Sequence, residues 1–323
     1  MAGSVHELIV YGVNKSGMDM TAGFKRKIQI IAHNFASVKA FINASEKDLL
    51  SIALISDNGK KEKINLTKSE LRGIIEFQKS GLLRPDLSVS ENYIRLLVAN
   101  FISKQVLMID GFTLKQLNCN PILIASLQLN EPAEIMRFYA YQSISRSIVT
   151  SMGYFVQDLL IHSGEDVFDA RNEDSPVSTK FDLLIKRLGR AKTWIEVKSG
   201  PNDLDKAQIL HYKVAIEKIE TLGEKAFIGE TYGKKEDKTV THSLYQSYLP
   251  KWEARTLIGK ELWDYISGDP KYHMILIKRL KDTAKLILNE KSVVYRIELQ
   301  IKKLLKELNE TYKSIDDFFD SLW

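Results

Sequence analysis

Cysteine is almost absent from this sequence of 323 residues, which contains only Cys119. A single cysteine excludes disulfides within the chain, and it excludes zinc or iron–sulfur sites built from several cysteines of one chain. No stretch approaches the roughly 20 apolar residues that a membrane-spanning helix needs. The first residues, "MAGSVHELIVYGVNKSG", lack the charged segment and long apolar core of a signal peptide. We therefore expect a cytoplasmic protein that does not associate with membranes.

Several catalytic motifs are missing as well. The sequence has neither a Walker loop nor a dinucleotide-binding glycine pattern, and it has no Gly-x-Ser-x-Gly segment. Its six histidines are scattered, and no two of them have the spacing of a metal-ligand pair. These absences disfavour nucleotide-dependent enzymes, serine hydrolases of the α/β type and histidine-based zinc enzymes.

The composition is that of an ordinary globular protein, with 44% hydrophobic and 27% charged residues. The length predicts about two domains. The formal net charge of +5 is a mild indication of a nucleic-acid partner.

Residues 1–130 carry apolar side chains at helical spacing between polar turns, which predicts a mainly helical domain. Ser45 stands where a helix N-cap would be, and Thr67 with Glu70 has the pattern of a capping box.

Two segments of this region, 33–52 and 99–118, have loosely similar sequences and suggest a repeated helix–turn–helix unit. The first copy resembles a helix-hairpin-helix element, a module that holds the DNA backbone. That element has a Gly–apolar–Gly turn, whereas this segment offers only Gly59. The resemblance implies a DNA-recognition domain, and the alternative is a helical bundle that packs on the rest of the chain.

Residues 131–323 show a different pattern, which starts after the turn "LNEP". We predict a helix over 133–153 that ends at Gly153, a loop at "VFDARNEDSPVS", strands at "TKFDLLIKR" and "KTWIEVKSG", a helix over 203–223, a strand over 225–233, and helices from about 251 to the end. This order predicts an α/β fold in which a helical crossover makes the last strand parallel to its neighbour. The C-terminal helices are expected to cover the core or to contact another subunit.

The segment "TWIEVKSG" places Glu196 and Lys198 within an otherwise apolar strand. Alternate residues of a strand share a face, so Trp194, Glu196 and Lys198 point to one side. A hairpin turn around Gly189 would bring Asp182 beside Glu196.

Two buried carboxylates repel each other unless a cation lies between them, and oxygen ligands of this kind suit Mg²⁺. A water bound to such an ion has a lowered pKa, and Lys198 would orient it or neutralise phosphate charge. The cluster therefore suits phosphodiester hydrolysis. The alternative is a solvated strand face on which Lys198 pairs with one of the acids.

The spacing of "FD" and "EVK" resembles the PD-(D/E)XK nucleases, whose fold is that of most type II restriction endonucleases. Asp182 matches the first acid of the family, Glu196 the second and Lys198 the lysine, while Phe181 replaces the usual proline. The resemblance covers roughly residues 133–235. It implies a restriction-endonuclease-like core with a mixed sheet flanked by helices, and Mg²⁺ held by Asp182 and Glu196.

Members of this fold often add an acid from the preceding helix, and Glu134 is the candidate, although an acid is also favourable at a helix start. Gln208 and Tyr212 in "QILHY" resemble the Gln-x-x-x-Tyr element of RecB-like and Cas4-like nucleases, with ordinary surface and core roles as the alternative. The basic turn between the two strands offers four candidate contacts to DNA phosphates, or else a solvated turn. These four residues are Lys186, Arg187, Arg190 and Lys192.

The resemblance implies a Mg²⁺-dependent endonuclease that cuts double-stranded DNA at a specific sequence, as type II restriction enzymes do. One cutting site per chain implies a homodimer, although a different second subunit is possible. One alternative is a structure-specific or RecB-like repair or recombination nuclease, which would act on branched or single-stranded DNA. Another is a non-catalytic DNA-binding protein on the same fold, which would bind DNA without cutting it.

Overall fold

The computed structural model describes residues 4–15, 21–55, 61–175, 177–201 and 204–323. Contacts between residues divide the chain into two units. The first unit comprises Met1–Val98 and Tyr154–Leu280, and the second comprises Ala99–Gly153 and Lys281–Trp323. This division does not follow the boundary predicted at 130/131, because the N-terminal helices share a unit with the strands that carry Asp182 and Glu196.

The N-terminal part of the first unit is mainly helical, as predicted, and has its own apolar core. Ser45 caps a helix with Asp48, and Thr67 forms the predicted capping box with Glu70. A short antiparallel strand pair follows the fourth helix and was not predicted, because three-residue strands are too short to show a period of two. The elements are α1 (Val5–Asn14), α2 (Ala22–His33), α3 (Val38–Asn43), α4 (Glu46–Ser51), β1 (Ala53–Ile55), β2 (Lys61–Lys63), α5 (Lys68–Lys79) and the start of α6 (Val89–Asp110).

The predicted repeat is wrong at the level of structure. Segment 33–52 contains two six-residue helices, α3 and α4. Segment 99–118 instead contains the end of the 22-residue helix α6 and a 3₁₀ turn at Leu114–Gln116. Gly59, the one glycine that this segment offers for the expected hairpin turn, lies outside the described residues.

The rest of the first unit is built on a mixed five-stranded sheet of order β3-β4-β5-β6-β7 in the described part of the chain. The first three strands pair antiparallel, and β5, β6 and β7 pair parallel. The crossover from β5 to β6 through a helix is therefore as predicted. The elements are the end of α8 (Pro132–Ile161), β3 (Val167–Asp169), β4 (Leu183–Ile185), β5 (Thr193–Lys198), α9 (Lys206–Thr221), β6 (Lys225–Glu230), α10 (Val240–Tyr248), α11 (Trp252–Arg255), β7 (Thr256–Ile258), α12 (Lys260–Ser267) and most of α13 (Tyr272–Leu288), with 3₁₀ turns at Ala170–Asn172 and Ser178–Lys180.

Three expectations for this region are wrong. The predicted loop at 167–178 begins with the edge strand β3, and the predicted C-terminal helical region includes the strand β7. Each has three residues, so pairing with a neighbouring strand, rather than sequence pattern, forms it. Helix α8 does not end at Gly153 but continues to Ile161. A glycine inside a helix costs about 1 kcal/mol relative to alanine, which a 30-residue helix can tolerate.

Helices cover both faces of this sheet. On one face, Trp194 and Ile228 are buried together with Ile209 and Ile216 of α9. On the other face, Ile195 lies close to Gly229 and to Leu262 of α12, and a Cβ at Gly229 would lie only 2.9 Å from Leu262 Cδ1. The prediction that Ile195 packs on a helix behind the sheet is supported by this contact. Glu196 and Lys198 share the Trp194 face and therefore meet α9.

The second unit is helical in the residues described. The predicted C-terminal helices are present and pack with α6, α7 and α8 in one apolar core. Gln300 Nε2 donates to the carbonyl oxygen of Phe112 at 2.5 Å within it. No helix of the described ranges is long and apolar enough to cross a membrane. The further elements are α7 (Pro121–Ser126), α14 (Val293–Thr311) and α15 (Ile315–Asp320).

Candidate active site

The hairpin of β4 and β5 brings the two predicted acids to one end of the sheet. Leu183 pairs with Ile195, and the amide of Asp182 donates to the carbonyl oxygen of Ile195 at 3.0 Å, so Asp182 lies opposite Glu196. The turn contains Gly189 with φ of 70°, a left-handed conformation that glycine adopts without strain. The predicted juxtaposition of the two acids is confirmed by this pairing.

Asp182 is held in place through its main chain and its side chain. The amide of Ala170 donates to its carbonyl oxygen at 3.0 Å. Its carboxylate Oδ2 accepts a 2.9 Å hydrogen bond from the amide of Val197. Within the described residues, Oδ1 has no hydrogen-bond donor. The carboxylate is thus oriented by the neighbouring strand and has one oxygen available to a ligand.

Glu196, Lys198 and Tyr212 form one hydrogen-bonded group. Lys198 Nζ donates to Glu196 Oε1 at 2.6 Å, and the Tyr212 hydroxyl donates to the same oxygen at 2.6 Å. Lys198 Nζ also lies 3.3 Å from the hydroxyl oxygen of Tyr212 and 5.2 Å from the centre of its ring. Oε2 of Glu196 accepts no hydrogen bond from the described part of the chain.

Burial and charge shift the pKa values of this group. Burial raises the pKa of Glu196, and repulsion from Asp182 raises it further, against the attraction of Lys198. Burial alone would lower the pKa of Lys198, but the Glu196 carboxylate more than offsets this effect, so that pKa is raised. Burial and the bond to Glu196 raise the pKa of Tyr212 to about 12, so Tyr212 is a hydrogen-bond donor at neutral pH. The raised pKa of Glu196 means that its surroundings disfavour a second carboxylate charge beside Asp182.

The family model of the type II restriction endonuclease EcoO109I matches residues 88–287, which include the whole mixed sheet and the acid pair. This chain belongs to that family. The fold class predicted from the sequence is thereby confirmed. No curated protein sequence matches the chain.

The acid pair opens into a cleft of about 230 Å³. Asp182, Glu196 and Tyr212 line it, together with Arg171, Thr179, Lys180, Phe181 and His211. Arg171 was not predicted from the sequence, because its segment was interpreted as a loop. The pairing of β3 with β4 brings it to the cleft. Lys180 could have been noticed, since it precedes Asp182 by two residues. His211 is exposed at the cleft.

The three accessory candidates Glu134, Gln208 and Tyr212 lie in different surroundings in the structure. Tyr212 lies in the site. Gln208 instead caps the start of α9, because its Oε1 accepts a 3.0 Å hydrogen bond from the amide of Asp205. Glu134 falls in the second unit, in the first turn of α8, where its carboxylate accepts the amide of Glu131 at 3.4 Å. The side chain that α8 places beside Asp182 is Gln157, whose Nε2 is 3.5 Å from the carbonyl oxygen of Asp182.

The basic turn lies at the opposite end of the hairpin from the acids, since β4 runs away from Asp182 and β5 returns to Glu196. Most of its cations have partners there. Lys186 and Lys192 both pair with Glu173, at 2.5 and 2.8 Å. Arg187 donates to the carbonyl oxygens of residues 265 and 266. The structure therefore does not bring these residues, or Arg190 between them, to the acid pair.

The carboxylates of Asp182 and Glu196 are the oxygen donors that the site offers to a metal ion. The described residues contain no cluster of three or more His, Cys, Asp or Glu side chains able to hold one. Two carboxylates, each with one oxygen free of protein donors, still fit Mg²⁺, which keeps several waters and accepts phosphate oxygens as further ligands. Repulsion from Asp182 contributes to the raised pKa of Glu196, and a cation bound by the two carboxylates would offset that repulsion.

Proposed function

We propose that this protein is a Mg²⁺-dependent endonuclease that hydrolyses phosphodiester bonds of double-stranded DNA at a specific sequence. The observation that carries the proposal is the pairing of β4 with β5, which sets Asp182 opposite Glu196 while Lys198 Nζ contacts Glu196 at 2.6 Å. Family membership supplies the reaction class, and the two acids and the lysine supply the chemistry that this class needs.

In the proposed mechanism, Asp182 and Glu196 would hold Mg²⁺, and the bound ion would supply a Lewis acid and a water of lowered pKa. The amide of Val197 keeps the Asp182 carboxylate in one orientation, and Tyr212 does the same for Glu196. Lys198 is a charged ammonium at neutral pH, since its pKa is raised, and in this mechanism it neutralises charge that develops on the phosphate.

Each chain has one such acid pair among its described residues, so cutting both strands of a duplex needs two chains. We propose a homodimer with two-fold symmetry, which also suits recognition of a symmetric sequence. A complex with a different second subunit is the alternative, and size measurement of the purified protein with and without DNA distinguishes the two.

The proposal is tested by incubating the protein with unmodified plasmid and phage DNA in Mg²⁺. Discrete fragments are expected. The variants Asp182→Asn, Glu196→Gln and Lys198→Met are expected to lose at least a hundredfold in rate while remaining folded and bound to DNA. Lys303→Ala, which removes an exposed cation from α14, is the matched control and should cut normally.

Three other outcomes would contradict the proposal. Undiminished cleavage by Glu196→Gln would overturn the assignment of the acids. Cleavage confined to branched or single-stranded DNA would favour a repair nuclease. DNA binding without cleavage in either Mg²⁺ or Mn²⁺ would favour a non-catalytic protein on this fold.

A further inference from the structure

A short turn after the edge strand runs alongside the acid pair. Strand β3 ends at Asp169, and a 3₁₀ turn over Ala170–Asn172 follows directly. The amide of Ala170 donates to the carbonyl oxygen of Asp182 at 3.0 Å, so this turn is anchored to the residue that carries the first acid. The next side chain, that of Arg171, lines the cleft with Asp182 and Glu196.

The guanidinium of Arg171 is fixed by Asp169 yet remains accessible. Nε donates to Asp169 Oδ1 at 2.9 Å and Nη2 donates to Oδ2 at 2.7 Å, while the amide of Arg171 donates to Oδ1 at 2.9 Å. Two parallel N–H···O bonds of this kind hold the plane of the group. The side chain of Arg171 is nevertheless 52% exposed, whereas that of Asp169 is 24% exposed. Its Nη1 donates to no acceptor in the described ranges, so a fixed donor edge is left for a ligand.

Lys180 supplies a second cation at the same cleft. It ends the 3₁₀ turn Ser178–Lys180, which contacts the turn that carries Arg171. Its side chain is exposed, and it has no ion-pair partner among the described residues. The cations of the hairpin turn differ in this respect, because Lys186 and Lys192 already neutralise Glu173.

The charges of the cleft explain why cations are needed here. Lys198 compensates Glu196, but Asp182 has only an amide donor within hydrogen-bond distance. A DNA phosphate that enters the cleft adds another negative charge close to the acids. Arg171 and Lys180 offset this repulsion, and a guanidinium held in its plane matches the paired oxygens of a phosphodiester.

We propose that Arg171 and Lys180 form the phosphate-binding edge of the active site and contact the DNA backbone beside the scissile phosphate. The inference rests on the proposed function, because the ligand is the DNA substrate of the same site. Asp169 is a positioning residue in this arrangement, since it touches Arg171 and not the DNA.

The test is the salt dependence of binding to a cognate duplex in Ca²⁺, which replaces Mg²⁺ so that affinity is measured apart from cleavage. Each lost phosphate contact lowers the slope of log K against log salt by about 0.9. Arg171→Ala and Lys180→Ala are each expected to show this smaller slope and weaker binding at low salt. Arg171→Lys keeps the charge and should keep most of the slope, but it loses the paired donors and should cut more slowly.

Lys303→Ala is the matched control, because it removes an exposed cation from α14 that has no assigned contact to DNA, and it should leave the slope at the wild-type value. Circular dichroism and the melting temperature of each variant establish that it is folded, and Lys180→Ala removes no partner from any described residue. Equal slopes for wild type, Arg171→Ala and Lys180→Ala, with cleavage intact in the wild type, would overturn this inference alone. A wild-type protein that neither binds nor cuts DNA would overturn the proposed function together with it.

Discussion

The Tyr212 hydroxyl and Glu196 Oε1 are 2.6 Å apart, and Lys198 Nζ donates to that same oxygen. A carboxylate oxygen with two donors is fixed in direction, so Glu196 is already oriented for its role in the proposed mechanism. Tyr212 comes from α9, the helix that forms the crossover between β5 and β6. The crossover that completes the sheet therefore also positions the second acid.

Loss of the Tyr212 hydroxyl should slow cleavage without unfolding the protein. Tyr212→Phe keeps the ring near Lys198 but removes one of the two donors to Glu196. A hydrogen bond to a charged group contributes about 1.5–3 kcal/mol, so we expect the rate of the cleavage step to fall by roughly ten- to a hundredfold. The measurement is single-turnover cleavage, with Tyr295→Phe as the matched control on α14. A normal rate in Tyr212→Phe would show that Lys198 alone orients Glu196.

Divalent ions should stabilise the wild-type protein against heat. A ligand that binds only the folded state at a hundred times its dissociation constant contributes about 2.7 kcal/mol. Ca²⁺ or Mg²⁺ should therefore raise the melting temperature, and Asp182→Asn should abolish the shift. Glu134→Gln should retain it, because Glu134 caps the start of α8 in the second unit. A shift that survives in Asp182→Asn would place the ion elsewhere.

The juxtaposition of Asp182, Glu196 and Lys198 could be predicted because it depends on local rules. Alternation along a strand put Glu196 and Lys198 on one face, and one short hairpin brought Asp182 across from them. Hairpin geometry could also have predicted that the basic turn lies away from the acids. A turn that joins two strands lies at the end opposite to the residues that open the first and close the second, so Lys186 and Arg187 could not reach the acids.

Other features depend on contacts between segments that are distant in the sequence, and no local sequence pattern predicts such contacts. Strand β3 has three residues and is defined by its pairing with β4, and only that pairing places Arg171 next to Asp182. Strand β7 is likewise defined by pairing with β6. Gly153 misled the prediction of α8 because a glycine near a helix end usually marks its termination, whereas here the helix continues to Ile161.

His162 should make the protein less stable in mild acid. Burial lowers its pKa to about 4 from an ordinary value of 6.5, and its ring stacks on Tyr93 with centres 4.4 Å apart. The unfolded chain therefore takes up the proton at higher pH than the folded protein does. Its contribution to stability is complete above pH 6.5 and is lost as the pH falls toward 4, by up to about 3 kcal/mol.

His162→Phe keeps an aromatic ring against Tyr93 and removes the titration. We expect the free energy of unfolding, measured by urea denaturation, to fall less steeply between pH 7 and 4.5 in this variant than in wild type. All other groups are the same in both proteins, so the difference between the two curves isolates His162. Parallel curves would contradict the lowered pKa.

Replacement of Gly153 by alanine should stabilise the protein. This glycine lies within α8, and a Cβ at its position would meet no atom of the described residues within 4 Å apart from the neighbouring helix backbone. Alanine should therefore add roughly 0.5–1 kcal/mol to the free energy of unfolding through the lower entropy of the unfolded chain. Gly229→Ala is the opposite case, because its Cβ would lie 2.9 Å from Leu262 Cδ1 and 3.0 Å from Ile195 Cγ2.

Urea denaturation of both variants checks this contrast, with Gly153→Ala expected to be more stable than wild type and Gly229→Ala less stable. Repeating the measurement over a range of protein concentrations adds a second criterion. A destabilised Gly153→Ala whose deficit grows with concentration would mean that another chain packs closely against this part of α8, since the described residues of the chain leave the position open. That outcome would contradict the prediction and would locate a contact of the proposed homodimer.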